Sequence, residues 1–211
     1  MNSLRPLLAL QTTIPFDKVL VMILNFHLRN EAKILDITPG EKHSWRTWLR
    51  EEKKRSSLFF PRKKFYITWI EEDLETYRQT KTLQKEYDAI FFDPPYIFGL
   101  SSTSDIRSKD YGEYFHSFDN IQHMFEKANK YFPKVLITGG KLFLKYSDVF
   151  SLQDRKFYFL AQHWGNVLFN FKVIDHYIIQ HHHISPTAYQ VKERPCGIVN
   201  YTYLTVFEMN I

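Results

Sequence analysis

The apolar positions of the chain alternate between runs of strand length and stretches with helical spacing. Continuous apolar runs predict strands, because a strand that is covered on both faces has no polar side. Such strands are expected within residues 33–37, 65–70 and 87–92. Further strands are expected within 135–145, 171–180 and 199–208, the last from an alternation of apolar and polar residues. Helical spacing predicts helices over residues 17–28, 44–55, 118–132 and 151–170. Residues 1–16 are interpreted as a short apolar lead, and any strand around residues 77–83 must be short.

The predicted strand at 87–92 ends at Asp93-Pro94-Pro95-Tyr96, and this turn is the most informative stretch of the chain. Neither proline has an N–H group, and each keeps the preceding residue out of the helical region. The chain therefore leaves the strand in a stiff, extended turn. The Asp93 carboxylate and the Pro94 carbonyl can accept hydrogen bonds from an –NH2 group, and the Tyr96 ring can stack on a base.

Polar residues also follow two upstream strands. Asp36 lies at the end of the strand that begins at Lys33, and Thr38 and Gly40 follow it. Glu71 opens an acidic cluster after the strand at 65–70. Without the turn downstream, the first of these segments would be interpreted as an ordinary strand, loop and helix. The acidic cluster could likewise be the start of a helix, where acids complement the helix dipole.

In this order, the three segments resemble motif I, the acid after the second strand and motif IV of the S-adenosylmethionine-dependent class I amino-methyltransferases. These enzymes methylate adenine N6, cytosine N4 or guanine N2, and the Asp-Pro-Pro-Tyr form is most often met in the adenine-N6 members. The resemblance implies an α/β, Rossmann-like fold. Its sheet would be mostly parallel and seven-stranded, with an antiparallel C-terminal strand and helices on both faces. The chain departs from motif I in one respect, because the usual second glycine is absent near Lys42.

The resemblance implies S-adenosylmethionine as the cofactor. Asp36 would meet the methionine amine, Gly40 would allow close approach of the backbone, and Glu71 would bind the ribose hydroxyls. The segment before the first helix would line one wall of the pocket. The expected cofactor site comprises Thr13, Pro15, Asp36, Thr38, Gly40, Glu71 and Asp93. The expected catalytic site comprises Asp93, Pro94, Pro95 and Tyr96.

Substrate contacts are expected beyond the turn. The segment 97–117 has no clear periodicity and is a candidate substrate lid, with a disordered loop as the alternative. It would contribute Lys109 and Tyr111 beside Tyr96, while Lys192 and Arg194 would meet a nucleic-acid backbone. The three histidines at 181–183 predict no metal site, because successive side chains of a strand point to opposite faces.

Composition adds modest constraints. The net charge of +5 is compatible with a polyanionic partner, and equally with none. The resemblance implies DNA rather than RNA as the nucleic acid. A homodimer and a separate recognition subunit both stay open. The single Cys196 favours a reducing, intracellular and cytoplasmic environment. No apolar run reaches the ~18 residues of a membrane span, so no membrane is expected. One domain is expected to cover 1–211, without a separate target-recognition domain.

Three functions therefore compete. The first is methylation of an exocyclic base amine in DNA, at adenine N6. The second is the same chemistry on RNA, at guanine N2 or adenine N6. The third is non-catalytic nucleic-acid binding by a degenerate methyltransferase fold, which the glycine-poor motif I suggests.

Overall fold

The computed structural model describes residues 8–11, 14–38, 43–46, 48–49, 63–70, 85–94, 117–151, 156–180 and 201–210. Within these ranges the helices are α1 (Phe16–His27), α2 (Phe118–Val135) and α3 (Leu160–Val167), with a 3₁₀ turn at His43–Trp45. The strands there are β1 (Leu8–Gln11), β2 (Ala32–Asp36), β3 (Phe65–Trp69), β4 (Tyr87–Phe92), β5 (Leu136–Tyr146), β6 (Val149–Ser151), β7 (Lys156–Tyr158), β8 (Phe171–Gln180) and β9 (Tyr201–Met209). None of the helices in this part of the chain is long and apolar enough to cross a membrane.

A seven-stranded sheet forms the centre of the molecule, in the order β1-β8-β9-β5-β4-β2-β3. β9 is antiparallel to both of its neighbours, β5 and β8. The remaining neighbouring pairs are parallel. The predicted fold class is confirmed in its sheet, which is mostly parallel with an antiparallel C-terminal strand.

Helices cover both faces of this sheet. The α1 face carries α1 and the Trp45 turn, which pack against Ala89 and Phe91 of β4. The α2 face carries α2 and α3, which pack against Ile90 and Phe92 of the same strand. Successive residues of β4 thus enter different cores, and all of them are buried. This double burial explains why the sequence shows a continuous apolar run instead of an alternation.

The helix predicted over residues 118–132 is confirmed as α2, which continues to Val135. Ser117 caps its start by accepting a hydrogen bond from the Asn120 N–H group. Its apolar stripe, including Phe125 and Phe132, is buried against the sheet. Segment 97–117, the predicted lid, is described only at Ser117, and the rest of it lies outside the described residues.

The pairing of β5 with β4 changes register at a bulge. Leu136 pairs with Tyr87, whereas Lys141 pairs with Ala89. Five steps along β5 therefore match two steps along β4, which is three residues more than a regular ladder has. The extra residues lie near the amino end of β4.

Two glycines allow the bulge to form. Gly139 has a φ of 72°, a left-handed conformation that glycine adopts at little cost. A Cβ atom added to Gly140 would lie 2.8 Å from the Ile137 carbonyl oxygen, so a side chain does not fit there. Both glycines thus have a structural role inside the strand.

The helix predicted over residues 151–170 is wrong in its first half. Residues Lys156–Tyr158 form β7, which pairs antiparallel with β6, and the helix is limited to Leu160–Val167. The aromatic residues Phe157 and Tyr158 fit helical spacing, but aromatic residues also suit a short strand. In so short a segment the spacing did not distinguish the two structures.

The apolar lead contains a strand that its sequence did not reveal. Leu8–Gln11 pairs in parallel with β8, where Leu8 lies opposite Tyr177. It is this strand that completes the seven-stranded sheet in the described residues. The short strand expected around residues 77–83 and the histidines at 181–183 lie outside the described part of the chain.

The amino end of β4 is anchored by Asp88. Arg29 Nε donates to Asp88 Oδ1 at 2.7 Å, and Arg29 Nη2 donates to Oδ2 at 3.3 Å. The Lys33 N–H group also donates to Oδ2, at 2.9 Å. Burial by itself would raise the pKa of Asp88, but the hydrogen bonds from Arg29 and Lys33 outweigh it and lower the pKa below its usual value.

Candidate active site

Two parallel strands bring Asp36 and Asp93 to the same edge of the sheet. β2 and β4 are neighbours, and Asp36 lies opposite Phe91. Asp93 follows two residues after Phe91, so its side chain continues on the α1 face. Open α/β sheets bind their ligands at the carboxyl ends of the strands, where these two carboxylates lie.

Thr38 links the two carboxylates. Its N–H group donates to Asp36 Oδ1 at 2.9 Å, and its hydroxyl oxygen accepts a hydrogen bond from the Asp93 N–H group at 2.6 Å. The loop after β2 is therefore joined to the turn after β4 by a single residue. Thr38, Asp36 and Asp93 were all predicted as cofactor-site residues, and the structure brings these three together.

Burial controls the ionisation of the Asp36 carboxyl group. It is 1% exposed, and its Oδ2 accepts a hydrogen bond from the Trp45 indole N–H group at 2.6 Å. Burial raises the pKa of Asp36 to about 7, although the hydrogen bonds from Thr38 and Trp45 oppose the rise. Nearby Asp93 adds to the rise and Lys145 opposes it. Near neutral pH this carboxyl group is therefore close to the midpoint of its titration.

A lysine from the adjacent strand pairs with Asp93. Lys145 Nζ lies 2.5 Å from Asp93 Oδ2, and the two side chains are 17% and 19% exposed. Ser44 Oγ lies farther from the same oxygen, at 3.4 Å. Asp93 Oδ1 accepts no hydrogen bond from the described residues, so one oxygen of this carboxylate stays available to a ligand.

The start of α1 closes the site on one side. The Phe16 ring lies beneath Lys145, with 4.9 Å between Nζ and the ring centroid. Pro15, a predicted wall residue of the cofactor pocket, directly precedes Phe16 and accepts the first hydrogen bonds of the helix at its carbonyl oxygen. At the other end of α1, His27 Nε2 lies 2.8 Å from the Tyr177 hydroxyl of β8, which fixes the helix on the sheet.

Of the predicted catalytic residues, Asp93 and Pro94 are described, and Pro94 is buried. The other predicted site residues lie outside the described ranges, namely Thr13, Gly40, Glu71, Pro95, Tyr96, Lys109, Tyr111, Lys192 and Arg194. Their roles remain predictions. In the described residues, no group of His, Cys, Asp and Glu could hold a metal ion.

Sequence reasoning missed Lys145 and the hydrogen bond of Trp45. A charged residue in the otherwise apolar run from Leu142 to Tyr146 is a signal that could have singled out Lys145. Its position opposite the residue after Phe92 depends on the strand register, which the bulge shifts. Trp45 lies nine residues after Asp36 in the sequence, and its contact with Asp36 depends on the path of the intervening loop.

The chemistry of the Asp36 carboxyl group suits the ammonium group of S-adenosylmethionine. A buried carboxyl group with a raised pKa is stabilised in its charged form by a nearby cation. The methionine ammonium of S-adenosylmethionine carries such a charge. Each Asp36 oxygen accepts one hydrogen bond from Thr38 or Trp45, and a carboxylate oxygen can accept a second.

Comparisons with known proteins reveal a likeness of fold. No protein-family model matches the chain, and no curated protein sequence matches it. An S-adenosylmethionine-dependent methyltransferase from Methanosarcina mazei is 11% identical, with a TM-score of 0.48, over 90% of this chain and 97% of that protein. The N-methyltransferase NodS from Bradyrhizobium japonicum WM9, in complex with S-adenosylhomocysteine, is 13% identical with a TM-score of 0.48, over 94% of this chain and 90% of NodS.

A candidate DNA modification methylase from Thermus thermophilus is also similar, with 14% identity and a TM-score of 0.39. That likeness covers 64% of this chain and 50% of the methylase. At these identities the three likenesses concern the path of the chain alone.

Proposed function

We propose that this chain is an S-adenosylmethionine-dependent methyltransferase that methylates an exocyclic amine of a nucleic-acid base, adenine N6 in DNA. The bridge at Thr38 is the observation that supports this proposal most. It holds the buried Asp36 and the ligand-facing Asp93 in one hydrogen-bonded unit at the carboxyl edge of the sheet. A methyl donor and an amine acceptor must be held side by side, and two linked carboxylates on adjacent strands suit that task.

Asp36 would hold the methionine ammonium of S-adenosylmethionine. When bound, that cofactor supplies an electrophilic methyl group on a positively charged sulfur. The ammonium would lower the raised pKa of Asp36, because a nearby positive charge favours the ionised carboxylate. Trp45 and Thr38 hold both carboxylate oxygens in place, so little reorganisation of Asp36 is needed on binding.

Asp93 and Pro94 would orient the amine. The lone pair of an exocyclic amine is delocalised into the ring, and it localises on nitrogen when both N–H groups are accepted by fixed oxygens. Asp93 Oδ1 and the Pro94 carbonyl oxygen would accept these two groups. The Thr38 hydroxyl fixes the Asp93 backbone, and orientation of this kind can contribute roughly 7–11 kcal/mol to lowering a barrier.

The choice of adenine in DNA rests on the Asp-Pro-Pro-Tyr motif, and the net charge of +5 is compatible with a polyanionic substrate. In a duplex the base has to leave the stack, at a cost of a few kcal/mol that stacking on Tyr96 would partly offset. Lys109, Tyr111, Lys192 and Arg194 would contact the substrate. A homodimer or a separate recognition subunit would supply any further sequence discrimination.

Calorimetry and methyl transfer test the proposal in sequence. We expect the purified chain to bind S-adenosylmethionine and S-adenosylhomocysteine. With tritiated S-adenosylmethionine, label should enter DNA, and nucleoside analysis should identify N6-methyladenosine in its deoxy form. A parallel reaction with RNA is the matched comparison.

Each outcome has a separate meaning. Absence of cofactor binding would contradict the enzyme and favour a non-catalytic methyltransferase fold. Label in RNA and none in DNA would support the proposed chemistry and show that the substrate is RNA. Label at cytosine N4 or guanine N2 would support methylation of an exocyclic amine and show that the base is not adenine.

A further inference from the structure

The Lys145–Asp93 pair lies inside the proposed amine site. Its side chains are 17% and 19% exposed, and the Phe16 ring covers Lys145 from the α1 side. Partly shielded charges interact more strongly than exposed ones, because water and salt screen them less. The charge of Lys145 therefore acts on any group that approaches Asp93.

The pair changes which charge the site attracts. An isolated Asp93 carboxylate would attract a protonated aliphatic amine. With Lys145 in place, positive and negative charges balance, and an ammonium that approaches Asp93 also meets the Lys145 ammonium. A neutral amine meets no such repulsion.

The hydrogen-bonding capacity of Asp93 suits a neutral amine. Lys145 occupies Oδ2, whereas Oδ1 accepts no hydrogen bond from the described residues. A neutral –NH2 group needs an acceptor oxygen and not a charge partner, and Oδ1 supplies one.

We infer that Lys145 is a specificity-determining residue that restricts the site to neutral amino groups on aromatic rings and excludes protonated aliphatic amines. Exocyclic amines of bases are neutral near pH 7, whereas an aliphatic amine such as that of lysine has a pKa of about 10.4 and is charged. The inference rests on the proposed function, because it defines the amine that the proposed site accepts.

Aniline and benzylammonium provide a direct test. Both probes carry one benzene ring, and at neutral pH the first is neutral and the second is charged. Binding of each probe is measured by NMR titration to the wild type, Lys145→Met, Lys145→Arg and Lys141→Met. In Lys145→Met we expect benzylammonium to gain about tenfold or more over aniline, because the opposing charge is gone. Lys145→Arg keeps that charge and should keep the wild-type ratio.

Lys141→Met is the matched control. Lys141 lies on the same strand and face as Lys145 and forms an ion pair with Glu208 at 3.4 Å, away from the candidate site. Its loss should leave the ratio unchanged. Thermal unfolding checks that every variant is folded. If Lys145→Met does not fold, Lys145→Gln replaces it as the neutral variant.

An unchanged ratio in the neutral variants would overturn the inference. Failure of benzylammonium to bind them at its highest soluble concentration would do so too, as would an arginine variant that behaves like the methionine variant. The titrations are run with and without S-adenosylhomocysteine. If that compound does not bind, the proposed function fails, while the ratio without it still reports on Lys145.

Discussion

The two ends of β4 each carry an aspartate paired with a cation, and the two pairs use the carboxylate differently. At the amino end, Arg29 and the Lys33 N–H group together occupy both oxygens of Asp88. At the carboxyl end, Lys145 occupies one oxygen of Asp93, and the other accepts nothing from the described residues. Near the start of β4, both oxygens of the Asp88 carboxylate are hydrogen-bonded. Just after its end, one oxygen of the Asp93 carboxylate is hydrogen-bonded and the other is not, in the described residues.

The two cations also differ, in the geometry of their contact with the carboxylate and in their exposure to solvent. Arg29 binds through two nitrogens of a planar group, and its side chain is 71% exposed. Lys145 binds as a single charge, and its side chain is 17% exposed. A planar, two-point contact fixes geometry, whereas a single charge sets the local potential. The comparison indicates that Asp88 joins elements of the fold and that Asp93 remains available for chemistry.

Replacing Asp93 should have the largest effect. Asp93→Ala removes both acceptor oxygens and the ion pair with Lys145, so we expect methyl transfer to fall by about 10²-fold or more. Steady-state kinetics with tritiated cofactor measures the loss. The exposed Asp119→Asn on α2 is the control and should retain wild-type activity. Near-normal transfer by the Asp93 variant would show that the turn is not catalytic.

Replacing Asp88 should reduce stability instead of chemistry. Asp88→Asn weakens the joint between Arg29 and β4, and we expect a loss of about 1–2 kcal/mol in the free energy of unfolding near neutral pH. Activity per folded molecule should not change. Because the pKa of Asp88 is lowered in the folded protein, its stabilisation is present above the unfolded value near 3.9 and is lost as the pH falls below it. Urea unfolding at several pH values measures this difference.

Equal unfolding curves for the wild type and Asp88→Asn would show that the amino-terminal pair contributes no stability. A large loss of activity in that variant, with its fold intact, would remove the contrast between the two ends of β4.

The acid on the neighbouring strand has its pKa shifted in the opposite direction, upward, and we expect this shift to govern cofactor affinity. Asp36 has a pKa of about 7, so its ionised form grows as the pH rises towards that value. We expect affinity for S-adenosylmethionine to rise by up to about tenfold per pH unit between about pH 5 and 7, since the ammonium needs the ionised carboxylate. Calorimetry of wild type and Asp36→Asn measures it, and the variant should bind weakly at every pH. Parallel curves for the two proteins would contradict this role.

The same shift has a defined effect on the cofactor-free protein. In the unfolded chain Asp36 ionises near pH 3.9, while in the folded protein it ionises near 7. Between these values the folded state holds more protons, so this group makes stability fall as the pH rises, and the fall ends above about 7.

Much of this arrangement was predictable from the sequence. The apolar run before Asp93 predicted a strand buried on both faces, and β4 has that burial. The resemblance to the class I amino-methyltransferases implied that Asp36 and Asp93 share one site, and Thr38 joins them. The first feature follows from a local pattern, and the second from the order of the motifs along the chain.

The features that were missed depend on distant pairing. β1 has four residues, too few for a periodic pattern, and it exists because β8 provides a partner. The hairpin of β6 and β7 was predicted as helix because short aromatic segments fit either structure. Lys145 was missed because its partner depends on the register of β5 against β4, which the sequence of neither strand predicts by itself.

The number of residues in the β5 bulge sets the register between β4 and β5. If the ladder continued regularly from the Leu136–Tyr87 pair, Leu142 would lie opposite Asp93 instead of Lys145. The shift of three residues is odd, so it also exchanges the residues that point to the two faces of the sheet. Two glycines at one end of the strand therefore decide whether a hydrocarbon or an ammonium stands beside the acid at the other end. Removing the extra residues of the bulge would change the charge beside Asp93 without any substitution at the candidate site.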